Sequence, residues 1–258
     1  MSNASSDPAS SHKTKTKTWP WHPVLTMGIG LGWFFICQII AAVLVAILAE
    51  ILKSNGLSLN GVIQTFSLFA VAESLTLLGL WYFLRTKQLS FKLLGLIKPR
   101  WADVGYTLLA FGAYFLVYGI LLSLATTLVP SLDLNQKQEL GFDAQQNLAG
   151  LIMVFLALVV LAPLTEEVLF RGFILQGLRS RWAFLPSALL TSVVFGTAHL
   201  MGGSQGAALL WVAGLDTLVL SMVLCYLREK TGGLWAGIGL HALKNSIAFV
   251  ALFVLHAR

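Results

Sequence analysis

Between Leu151 and Pro163 the chain reads LIMVFLALVVLAP, thirteen residues without a charge, and the next nine are LTEEVLFRG. Similar apolar segments of about 20 residues recur along the sequence, each long enough to cross a hydrocarbon core of about 30 Å. Of the 258 residues only 11% are charged and 57% are hydrophobic, whereas soluble domains carry about 25% charged residues. The expected fold class is therefore all-α, a polytopic membrane protein of about seven transmembrane helices. The spacing predicts spans near 24–52, 61–85, 103–131, 147–170, 185–200, 207–227 and 233–255. The long third segment fits a tilted helix, or a broken one that would bring the count to eight.

Lysine and arginine positions test that count independently. With the N-terminus in the cytoplasm, the inner segments hold Lys13, Lys15, Lys17, Arg85, Lys87, Lys92, Lys98, Arg100, Arg171, Arg179, Arg181, Arg228 and Lys230. The outer segments hold only Lys53, Lys137 and Arg258, and Lys244 lies within a span. This asymmetry is what the positive-inside rule demands, so an integral membrane protein with a cytoplasmic N-terminus and an outer C-terminus is expected. The acidic loop Asp133 to Asp143 then falls outside. The net charge of +6 points to topology and anionic membrane lipid as its cause, rather than to nucleic acid. Residues 1–20 are expected to be a disordered tail, because MSNASSDPASSHKTKTKT cannot bury apolar surface. Residues 21–135 hold the first three spans and 147–255 a core of four. Cys37 and Cys225 lie in separate apolar segments without ligand spacing and read as small buried residues.

The charges behind the apolar run can now be placed. EEVLFRGFILQGLRSRW continues the helical pattern, so the fourth segment reads as one long helix, with a kink expected at Pro163, that ends near Arg179 and Arg181. Counting from a turn near Trp182 and Ala183, Glu166 lies about 16 residues before it and His199 about 16 after. On an antiparallel pair the two reach equal depth, roughly 24 Å from the turn at 1.5 Å per residue. In the last span, His241 and Asn245 are four apart and share a helical face. Each residue has an ordinary structural reading when taken singly. Glu167 and Arg171 form an i,i+4 pair, His199 suits a satisfied histidine at the end of a span, and Asn245 suits a hydrogen bond between helices. Taken together they are costly, because an ionisable group deep in a span costs about 2.5 to 3.5 kcal/mol. Several at one depth point to a functional site.

Their order along the chain carries a resemblance. EExxxR at Glu166, Glu167 and Arg171, FxxxH at Phe195 and His199, and HxxxN at His241 and Asn245 resemble the CAAX protease and bacteriocin-processing (CPBP, Abi) family of intramembrane endopeptidases. The likeness covers about 147 to 248 and includes TGGLWAGIGLHALKNS. Leu218 and Ser221 depart from it, standing where the family often carries small residues. The resemblance implies that Glu166, His199, His241 and Asn245 form the catalytic set, supported by Glu167, Arg171 and Phe195. It further implies a substrate that is a prenylated C-terminus, a leader peptide or a membrane-bound regulator.

The chemistry can be read without the family. Peptide hydrolysis needs an activated water, a proton for the leaving amine and donors for the oxyanion. Glu166 with His199 suits the first two tasks, and His241 with the Asn245 amide suits the third. No serine or cysteine is placed beside a base as a nucleophile. The expected activity is hydrolysis of a peptide bond in a membrane-associated or lipidated substrate, at a site open to the cytoplasm. The alternative is a non-proteolytic membrane immunity or scaffold protein using the same pocket; a transporter lacks the inverted repeats it should show. For metal, Glu166, His199 and His241 could supply three zinc ligands with water as the fourth. HExxH is absent, however, and a metal-bound Glu166 would leave the base to another residue such as Glu167, so metal-free water activation is preferred. Asp216 and Lys244 lie 14 residues either side of Lys230 and are expected to form a structural ion pair; the other reading of Lys244 is a partner for a substrate carboxylate.

Overall fold

The computed structural model describes residues 19–134, 140–142, 147–200 and 209–255. Residues 1–18 of the expected tail and the 135–139 stretch of the acidic loop lie outside the described residues. The described chain is helical throughout, with no strand among the described residues. Seven helices follow one another: α1 Pro23–Ser54, α2 Gly61–Thr86, α3 Trp101–Leu128, α4 Leu148–Arg179, α5 Phe184–Ala198, α6 Trp211–Thr231 and α7 Trp235–Leu255. All but α5 are long and apolar enough to cross a membrane. With 15 residues, α5 extends only about 22 Å at 1.5 Å per residue, short of a full hydrocarbon core. The third segment is one unbroken helix, so it adds no eighth span.

Lipid-facing and protein-facing surfaces separate along these helices. Large apolar side chains such as Ile39 on α1 and Leu109 and Leu116 on α3 are exposed, as a hydrocarbon solvent allows. The inner part of α4 behaves differently: every residue from Glu167 to Ile174 is buried. A helix covered all round must be surrounded by other elements. Here α1, α2, α5, α6 and a 3₁₀ turn at Phe91–Leu94 enclose it. Leu80 and Leu84 of α2, Leu94, and Phe170, Phe173 and Ile174 of α4 form one apolar core. Trp19 and Trp21 close it by packing on the Phe173 ring at centroid distances of 5.4 and 5.6 Å. A second core joins α3, α6 and α7 through Tyr114, Leu220, Leu224 and Leu240.

Close helix approach depends on residues without side chains. A Cβ at Gly79 of α2 would lie 2.0 Å from the Trp33 ring, so α1 can reach α2 only against glycine. The Trp33 indole N–H then donates to the Leu75 carbonyl at 3.2 Å. On α5, Gly196 accepts Leu218 of α6: a Cβ there would meet the Leu218 Cβ at 3.0 Å. The large residue at 218 is thus accommodated by a missing side chain on the facing helix.

Backbone geometry in α4 carries consequences for the site. Pro163 has no N–H to continue an α-helical ladder, and its ring crowds the carbonyl one turn earlier. The chain relaxes into a π-helical turn over Leu156–Leu161, in which the Ala162 N–H bonds back to Ala157. In an α-helix that N–H would satisfy Leu158. The Leu158 carbonyl is therefore left for another donor. After one α-helical turn, Ala162–Glu166, a second π-helical stretch follows over Glu167–Ile174, a geometry common at functional sites.

Candidate functional site

Three helices bring the polar residues together. From α4 come Glu166, Glu167 and Arg171, from the C-terminal end of α5 comes His199, and from α7 come His241 and Asn245. Arg171 donates from its terminal nitrogen to Glu167 Oε1 at 2.8 Å, and both side chains are fully enclosed. The same Glu167 oxygen lies 3.1 Å from His241 Nδ1. Gly237 makes room for this carboxylate, since a Cβ there would meet Glu167 Oε2 at 3.1 Å. Glu167 thus joins α4 to α7 while Arg171 supplies its countercharge. A lone carboxylate in so apolar a setting would be far more costly.

Glu166 is the more accessible of the two acids, its side chain 20% exposed. His241 Nε2 lies 3.7 Å from Glu166 Oε2, an oxygen with no hydrogen-bond partner. His241 is thereby held between two adjacent carboxylates, one at each ring nitrogen. Because a carboxylate only accepts, Nδ1 carries the proton toward Glu167. Nε2 then faces Glu166 and whatever lies beside it.

His199 is held differently. Its Nδ1 lies 2.9 Å from the Phe195 carbonyl oxygen, an acceptor only, so this nitrogen carries the proton and leaves the Nε2 lone pair available. The Phe195 ring is a hub for both histidines, with centroid distances of 4.7 Å to His199 and 6.0 Å to His241. The Arg171 guanidinium lies 4.6 Å over the same ring. No ion pair joins His199 to Glu166 among the described residues; His241 is the imidazole next to that acid.

Asn245 donates through Nδ2 to the Leu158 carbonyl at 2.8 Å. This is the acceptor freed by the π-helical turn before Pro163, so the amide secures α7 to α4 with one of its two N–H groups and has the other to spare. Among the described residues no three His, Cys, Asp or Glu side chains converge closely enough to hold a metal ion.

Lys244 Nζ lies 2.9 Å from Asp216 Oδ2, joining α7 to α6. The Tyr114 hydroxyl of α3 donates to the other Asp216 oxygen, a partner that no spacing within the last four helices could have revealed. Asp216→Asn and Lys244→Met should each lower the thermal stability of detergent-solubilised protein, and the swap Asp216→Lys with Lys244→Asp should restore part of it. If Lys244→Met melts like the wild type while KM rises for a peptide with a free C-terminus, Lys244 contacts substrate instead.

One acidic residue near the site was not among those expected. Glu73, in the middle of α2, is 5% exposed, and α2 packs against the Ala162–Glu166 turn of α4 that carries Glu166. Its signal in the sequence was a lone glutamate within an apolar span. The ends supply the register: Glu73 is 13 residues before Thr86 and Glu166 is 13 before Arg179, counting to the last residue of each helix (86 − 73 and 179 − 166).

Residues 148–247 match the family model described as type II CAAX prenyl endopeptidase Rce1-like. Among curated relatives, an uncharacterized 24.3 kDa protein of Escherichia coli is 37% identical over 100 residues, 38% of this chain and 43% of the relative. The uncharacterized protein YyaK of Bacillus subtilis is 31% identical over 114 residues, 42% of this chain and 36% of the relative. The matches thus span less than half the length of these relatives. No solved structure matches.

Proposed function

We propose, from the match of residues 148–247 to the family model described as type II CAAX prenyl endopeptidase Rce1-like, that the chain is an intramembrane endopeptidase acting on a membrane-associated, lipidated peptide. The observation that carries this reading is the placement of Glu166. Its unpartnered oxygen sits 3.7 Å from His241 Nε2, beside the buried Arg171–Glu167–His241 chain that holds the histidine in place.

In the proposed reaction Glu166 removes a proton from water as the oxygen attacks the scissile carbonyl carbon. The carbonyl π electrons move to oxygen, giving a tetrahedral oxyanion. The spare Asn245 N–H lies where α4 and α7 meet and would stabilise that charge, an effect worth roughly 100- to 1000-fold in rate per donor, while His241, with its proton on Nδ1, offers its Nε2 lone pair to the proton that Glu166 has taken. Collapse of the intermediate breaks the C–N bond, and the proton held by Glu166 passes to the leaving amine. His199, with Nε2 unprotonated, assists the same proton transfers. Glu167 and Arg171 touch no reacting atom; they hold His241 in its tautomer and orientation.

No step passes through a metal. Exhaustive chelation followed by dialysis is expected to leave turnover in place. Stoichiometric zinc whose removal abolishes activity and whose return restores it would overturn that expectation. The proposal as a whole is tested with purified protein in liposomes and an internally quenched, farnesylated peptide ending in a free carboxylate. Cleavage at a single bond supports it; an intact peptide overturns the lipidated-substrate reading.

A further inference from the structure

We propose that Glu73 is a positioning residue of the hydrolytic site, acting from α2 to orient the Glu166 carboxylate and the water it activates. This inference rests on the reading of Glu166 as the base. A carboxyl group midway along a span is costly, and packing here does little to offset it. Among the described residues Glu73 forms no ion pair, and its buried Oε2 has no hydrogen-bond partner; the buried Thr165 hydroxyl, beside Glu166 on α4, has none either. A buried acid retained for structure alone would have its oxygens satisfied.

The neighbours indicate what the group does instead. α2 packs against both α1 and the Ala162–Glu166 turn of α4, which carries Thr165 and Glu166. Glu166 thus has His241 of α7 beside it at 3.7 Å and Glu73 on the packed helix α2, each from a different helix. Both acids present an oxygen without a partner, Oε2 in each case. A water bridging two such oxygens would be held in one orientation, with a lone pair free for attack. The residue comes from outside the segment shared with the Rce1-like family, so the first helices contribute to the site as well as to its packing.

Two substitutions separate this role from a structural one. In liposomes with the farnesylated quenched peptide, Glu73→Leu is expected to lower kcat by roughly 10- to 100-fold, the scale of a small misplacement of reacting groups. KM should change little, and the melting temperature should equal or exceed that of the wild type, because an unsatisfied buried polar group has been replaced by an apolar one. Glu73→Gln, which still hydrogen-bonds a water, should recover most of kcat. Full kcat in Glu73→Leu, a loss confined to KM, or a loss that follows a fall in melting temperature or in folded yield would each overturn the proposal. Glu166→Gln, assayed alongside, separates the two readings: if it is inactive while Glu73→Leu is fully active, only the role of Glu73 falls. If Glu166→Gln is active, the base assignment falls and this inference with it.

Discussion

Glu166→Gln is expected to lower kcat by about 100- to 10,000-fold, the range that a positioned general base contributes, while the protein keeps its helix content and melting temperature. The substitution is nearly isosteric. The Glu166 side chain is 20% exposed and makes no ion pair shorter than its 3.7 Å approach to His241, so removing its charge should leave folding intact. Glutamine cannot take a proton from water, and among the described residues no serine or cysteine stands beside a base to offer a covalent route. His199→Ala and His241→Ala should likewise abolish cleavage, but His241→Ala also removes the donor to Glu167 Oε1 and should melt earlier. Rates in Glu166→Gln equal to those of the wild type, measured on the farnesylated peptide in liposomes, would remove the mechanism.

Arg171→Met should have the largest effect on stability, lowering the unfolding free energy by about 3 to 5 kcal/mol, the cost of leaving one member of a buried ion pair without its partner. Arg171 and Glu167 are both 0% exposed, and the guanidinium also covers the Phe195 ring. The orphaned group in the variant would be the Glu167 carboxylate, supported only by His241. Removing both charges, as in Glu167→Leu with Arg171→Met, should cost less than the sum of the two single changes, because no unpaired charge then remains. Reversible denaturant unfolding in detergent micelles measures all three variants. Additive losses, or a single variant as stable as the wild type, would show that the pair contributes nothing beyond its separate side chains.

The membrane class and helix positions were legible in the sequence because hydrocarbon imposes a length and a polarity on every span. Span limits read at 24–52, 61–85 and 233–255 lie within a few residues of the helices at Pro23–Ser54, Gly61–Thr86 and Trp235–Leu255. The fifth helix is the instructive departure. The span read at 185–200 is the 15-residue helix Phe184–Ala198, within two residues of its predicted limits yet too short to cross a full hydrocarbon core.

The sequence by itself determined which residues were too polar for their depth: Glu166, Glu167, Arg171, Asp216, His241 and Lys244 stand out against apolar neighbours because burying charge is costly in any arrangement. Helical spacing also determined that Glu167 lies within reach of Arg171, and His241 on one face with Asn245. Only the tertiary structure decided who meets whom across helices. It set His241 between Glu166 and Glu167, put Phe195 between the two histidine rings, and gave Asp216 a second partner in Tyr114. It packed α2, which carries Glu73, against the turn of α4 that carries Glu166, and it used the π-helical turn before Pro163 to free the Leu158 carbonyl for Asn245. Depth along a membrane normal is a one-dimensional quantity that residue counting can supply. The rotation of each helix about its axis is set by ridges, glycines and local changes of helical pitch, which act only once the helices are packed.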